Sequence, residues 1–150
     1  MADFRDSLTF HKPITAAAAS GNRIPQFVEI PFVAADIVAG SVAYDDLPAN
    51  VLILGARIVI TTPLTFSNVG TTGVSAKIGN AAEDDAGFGT ATAIAGAAGY
   101  RRFPPGALVG GTVPGGTDGV LASFTATGGA ADLAHVSAGA GKVVVDFIEV

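Results

Sequence analysis

Apolar and polar positions alternate with a period of two over much of this chain. Val28, Ile30 and Phe32 fall on one side of an extended backbone, with Phe27, Glu29 and Pro31 on the other. Leu52, Leu54, Ala56, Ile58 and Ile60 alternate with Ile53, Gly55, Arg57, Val59 and Thr61, and Val120, Ala122, Phe124 and Ala126 with Leu121, Ser123, Thr125 and Thr127. Such alternation sends successive side chains to opposite faces of a sheet and predicts strands. Shorter strands are predicted over 37–44, 63–68, 73–78 and 90–94, and a last one in KVVVDFIEV (142–150). Helix signals are nearly absent, because glycine and proline interrupt almost every window and no apolar face recurs at helical spacing. Turn residues separate the strands at Leu47-Pro48-Ala49-Asn50, Asn68-Val69-Gly70, Pro114-Gly115-Gly116 and Gly139-Ala140-Gly141. Many short strands with such turns predict an all-β fold, an antiparallel β-sandwich of jelly-roll-like type.

The final strand has two apolar faces. Val143, Val145 and Phe147 make one, and Val144, Asp146, Ile148 and Val150 the other. A strand on a monomer's surface carries one polar face. Two apolar faces mean either a central strand covered on both sides or a second face that meets another subunit. In a two-layer sandwich only one face of each sheet is inside, which favours the subunit.

Composition points the same way. Apolar residues make up 49% before the 20 glycines are counted, and charged residues are 14% against about 25% in ordinary domains. A chain of 150 residues, one domain in size, has more apolar surface than one small core hides, so assembly with neighbours is expected. No run approaches the roughly 20 apolar residues of a membrane-spanning helix, and MADFRDSLTFHK puts acids ahead of any apolar block, unlike a secretory signal. Without Trp and with two Tyr, the chain lacks the aromatic girdles of a membrane barrel. The absence of cysteine excludes disulfides and thiolate metal sites, and the net charge of −5 argues against nucleic acid as a direct partner.

Residues 1–25 form a separate piece, an expected N-terminal extended arm ahead of a sandwich over 26–150. Phe4, Phe10 and His11 would anchor such an arm on a neighbour; the alternative is a frayed terminus. Residues 99–118 are the other irregular stretch, stiffened at Pro104-Pro105 and loosened by paired glycines.

Candidate chemistry is sparse. The run Glu83-Asp84-Asp85, with Asn80 before it, could be a metal loop, an acid–base pair or a plain turn. Calcium needs oxygen ligands spread along a loop with a closing bidentate Glu, and consecutive acids on extended backbone point in different directions. Acid–base carboxylates need opposed environments across a cleft. GNAAEDDAGFG therefore reads as a solvated connector, with Asn80, Glu83, Asp84 and Asp85 only weak metal candidates. His11 and His135 are the only imidazoles, and neither sits in a nucleophile motif. The glycine pairs precede no helix with Lys and Ser/Thr, so they are turns and not phosphate loops. No catalytic residue, cofactor or metal is expected. Arg101-Arg102, the one adjacent basic pair, suits an acidic patch on a partner.

The segments LPANVLILGARIVITTPLTF, VSAKIGNAAEDDAGFGTA and VLASFTATGGAADLAHVSAGAGKVVVDFIEV together resemble a family of small bacteriophage virion proteins, over about residues 28–150. The shared features are a strand after a Leu-Pro turn, a glycine-acid loop, a T-x-T-x-GG strand and a valine-rich closing strand. Gly79-Asn80 stands where the family has Gly-Asp. The resemblance implies a capsid decoration, or cement, protein on the exterior of the virion, bound to the major capsid protein and homo-oligomeric, often a trimer. Interface residues expected on this reading are Phe4, Phe10, Arg101, Arg102, Phe103, Val145 and Phe147. Two alternatives are a tail or head-fibre component that binds a receptor and a lectin-like sandwich that binds calcium or carbohydrate.

Overall fold

The computed structural model describes residues 24–45, 47–48, 50–80, 82–113 and 119–150. Phe4, Phe10 and all of the expected arm except its last two residues lie outside the described residues. The elements in order are β1 (Gln26–Val33), α1 (Ala34–Ala39), β2 (Ser41–Tyr44), β3 (Val51–Phe66), β4 (Gly73–Asn80), β5 (Asp84–Ala93), β6 (Gly99–Arg102), β7 (Thr112–Val113), β8 (Val120–Thr127), a 3-10 turn (Leu133–His135) and β9 (Val136–Glu149).

Two antiparallel sheets form, as the alternation predicts. One has the order β1-β9-β3-β6, with β7 added on β3, and the other β2-β8-β4-β5. Set the two-residue β7 aside and the pairs β1·β9, β2·β8, β3·β6 and β4·β5 are those of one long antiparallel hairpin folded on itself. Rolling that hairpin brings β9 beside β3 and β8 beside β4. Two sheets wrapped in this way are a jelly-roll-like sandwich.

The core lies between the sheets. Ile30, Phe32, Ile58, Ile60, Val143, Val145 and Phe147 from one face Val74, Ala76, Ile78, Phe88, Val120, Ala122 and Phe124 from the other. Phe32 and Phe124 bridge the layers, with ring centroids 5.4 Å apart at 54°, a tilt that brings one ring's positive edge to the other's negative face.

Three local features depart from the alternation. A bulge at Leu54 lets Ile53 pair with Phe147 and Gly55 with Asp146. Strict alternation places Ile53 and Ile58 on opposite faces; the extra residue reverses the phase, and both are buried in the core. A second irregularity between Thr62 and Thr65 leaves Pro63 outside the ladder, so β3 runs on where the sequence suggested two strands. Lastly, the strand expected over 37–44 begins only at Ser41. Before it, α1 makes one and a half turns, held by the Val33 N–H donating to the Asp36 carboxylate (2.8 Å) and stopped at Gly40 with φ 92°. Six residues are too few for a helical period to be visible, and burial of Ile37 holds the turn in place.

At the β4–β5 hairpin, a Cβ on Gly79 would overlap the Asp84 carbonyl oxygen and the backbone of Asp85. Gly79→Ala must therefore push the two strands apart, at a cost of about 1–3 kcal/mol. Urea denaturation measures this, and an unchanged midpoint would mean that the hairpin closes in another way.

Candidate functional site

The acidic run does not form one site. Asn80 is fully buried, and its Oδ1 accepts from the Ala82 N–H (2.8 Å) to close the hairpin turn. Asp84 Oδ1 accepts from the Ala86 N–H (2.9 Å), Asp85 pairs with Lys77 Nζ (2.5 Å), and Glu83 stands exposed at the tip. Among the described residues no group of three or more His, Asp or Glu side chains converges. The solvated connector expected over GNAAEDDAGFG is much shorter than that stretch, because β5 begins at Asp84 and carries Phe88 into the core with none of its surface exposed. Small residues on both sides of Phe88 hid this strand from a reading by hydrophobicity.

His135 also has a structural partner. Its Nδ1 lies 2.7 Å from Thr71 Oγ1, which in turn accepts from the Asp132 N–H (3.0 Å). The pair ties the 3-10 turn to the segment before β4. Thr71 is buried, so its hydroxyl is closed to a substrate.

Of the expected interface residues, Phe103, Val145 and Phe147 need correction. All three are buried in the chain's own core, so their side chains cannot meet a partner while the sandwich is folded. At the closing strand the chain itself covers one face fully and the second face at Val144. β9 is a central strand, paired on both edges, and its inward face is Val143, Val145 and Phe147.

The second face of β9 is covered by the chain itself at Val144, which is 2% exposed although it lies outside the main core. Glu29 and Arg57 are its lateral neighbours, and Lys142 and Asp146 lie along its own strand. Lys142 pairs with Glu29 (2.6 Å) and Arg57 with Asp146. These two ion pairs frame Val144 with the aliphatic stems of their side chains. Each pair is partly exposed and contributes at most about 1 kcal/mol, so shielding Val144 is their larger effect.

Beyond that frame the outer face is open. Phe27 and Tyr100 are each 60% exposed, and Leu54 and Val150 are exposed as well. Beside Leu54 the bulge opens a groove lined by Leu54, Gly55, Arg102, Pro104, Pro105 and Val109, with Phe103 at its base. The irregular stretch after β6 builds the far wall and is tied down by backbone bonds. The Phe103 N–H donates to Ala56 O (3.1 Å), Gly110 N–H to Ile53 O (2.8 Å) and Leu108 N–H to Gly87 O (2.8 Å). Phe103, Leu108 and Val109 were the sequence signal for this anchoring, masked by the prolines and glycines around them.

The two arginines part company here. Arg101 is half-buried; its Nη2 donates to Ala97 O (2.9 Å), and its Nη1 is enclosed with no hydrogen-bond partner among the described residues. Arg102 is exposed on the outer face across from Arg57, and its guanidinium lies 4.0 Å from where a Cβ on Gly55 would sit. It makes no ion pair among the described residues.

Fold and surface together define a jelly-roll-like β-sandwich with one outer face partly sealed by ion pairs and partly open around an arginine-edged apolar groove. Among solved structures, the chain is similar to a chain of the acidic stable capsid structure of Helicobacter pylori bacteriophage KHP30, with a TM-score of 0.42 and 9% identity over 83% of this chain and 93% of that one. No family model matches the chain. No curated protein matches it either.

Proposed function

We propose that this chain is a non-enzymatic structural protein of a bacteriophage particle, which decorates the exterior of the head and cements the shell by binding the major capsid protein, as a homo-oligomer and most simply a trimer. The observation that carries the reading is the set of exposed apolar side chains on the outer face of the β1-β9-β3-β6 sheet, where Phe27, Leu54 and Tyr100 stand in water on a chain short of charge. The resemblance of residues 28–150 to small phage virion proteins supports the same reading.

The mechanism is burial. A stable protein interface removes about 1,200–2,000 Å2 from water, and each apolar Å2 contributes roughly 25 cal/mol. Repeated around a shell, contacts of this size oppose internal pressure with no covalent step. The other sheet suits close approach too. Its outer positions include Ser41, Ser75, Ser123 and Thr125, short side chains that lose little rotamer freedom when covered.

Electron microscopy of intact particles tests the proposal. Density that fits the sandwich is expected at regular positions on the outside of the head. Particles with this chain in the tail only, or with no copy of it, would overturn the decorating role.

A further inference from the structure

We infer that the groove between Leu54 and Val109 receives residues 4–10 of a second copy of this chain. The inference concerns copies of the chain alone, so it stands or falls apart from the shell-binding proposal.

Three observations lead to it. The first is chemistry. The groove is apolar along Leu54, Pro104, Pro105 and Val109, and its edge carries the guanidinium of Arg102, which has no ion pair among the described residues. An occupant must offer apolar side chains around one carboxylate. On an extended backbone, residues 4, 6, 8 and 10 share a side, and here they are Phe4, Asp6, Leu8 and Phe10. Asp6 would then meet Arg102 while its neighbours fill the slot.

The second observation is charge. Residues 1–23 hold three of the chain's eight basic residues (Arg5, Lys12, Arg23) and only two of its thirteen acids (Asp3, Asp6). The segment carries a net +1, which leaves −6 on residues 24–150 and draws it to the body of another copy.

The third is reach. The chain enters β1 at Gln26, and β1 lies two strands from β3, about 10 Å across the sheet. Within one copy that gap needs only the few residues just ahead of β1. Phe4 lies 22 residues upstream of Gln26, a reach of about 70 Å when extended. A domain of this size is about 35 Å across. That length is enough to carry residues 4–10 past the chain's own body to the groove of a neighbour.

Because the chain has no cysteine, single cysteines can report the contact in the full-length protein. One chain carries Leu8→Cys and another Leu54→Cys, at an exposed position; the two are mixed and treated with a short bis-maleimide. A cross-linked species of twice the chain mass is expected, at several times the yield obtained with Val69→Cys, an exposed turn position beyond the far end of β3. Arg102→Glu on the receiving chain should lower the yield about two- to five-fold, the range set by one exposed ion pair. Asp6→Arg on the donating chain should restore it. Yields equal to the Val69 control, or no response to Arg102→Glu, would overturn the inference. So would an internal link alone, at high dilution, in a chain carrying both cysteines, which would assign the groove to the chain's own arm.

Discussion

Val145→Asp is expected to yield no folded protein. The side chain is fully buried at the middle of β9, with Val28 and Ala56 as its cross-strand neighbours. Among the described residues no cation neighbours it on that face: Lys142 and Arg57 point outward, and Arg101, opposite Ile58, sits on the edge strand two strands away. Burying an unpaired charge costs several kcal/mol, and a domain of this kind has about 5–15 kcal/mol of stability in total. Loss of soluble expression and of the β-sheet circular dichroism signal would confirm the core role. A folded, soluble variant that merely fails to assemble would show instead that Val145 is an interface residue, as a two-faced apolar strand suggests.

Phe88→Ala should destabilise the domain by about 3–5 kcal/mol, the usual cost of emptying a buried aromatic site. For a chain of this length that lowers the melting temperature on the order of 10 °C. Glu83→Gln, five residues earlier at the exposed tip of the same hairpin, should stay within about 0.5 kcal/mol of the parent. Thermal melts of the two variants side by side separate a core strand from a solvated connector. A loss below about 1 kcal/mol at Phe88 would return the whole acidic segment to solvent.

Both expectations come from places where pattern and structure part. In β9 each face is apolar enough to be buried, so hydrophobicity could not rank them. Pairing with β1 and β3 decides the inward face, and two ion pairs cover Val144 on the other. Their partners are 113 and 89 residues apart, a separation no local pattern can express. In β5, Gly87 and Gly89 flank Phe88 and weaken its strand signal. Gly89 is small because the Phe103 ring lies against it, another contact that only folding creates.

The candidate surface was legible in part. Arg102, expected to face a partner, is exposed on the outer face and makes no ion pair among the described residues. Phe103, next to it, was expected to share that role but turns inward, as alternation along an edge strand requires. Leu54 and Gly55 carry no sequence signal as site residues, because a bulge has no signature in the hydrophobic pattern beyond a glycine. The groove they open exists only where the bulge meets the returning loop.

Taken alone, the order of amino acids determined that this protein is built of strands, that these pair into an antiparallel sandwich, and that the chain carries more apolar surface than charge to offset it. These are local or summed properties, set by side chains two positions apart and by composition. Only the tertiary structure decided which face of each strand is inside, that the acidic run closes a tight hairpin, and where an apolar groove meets an exposed arginine. Those outcomes depend on register between distant strands, where one extra residue at Leu54 is enough to turn Ile53 from one face of the sheet to the other.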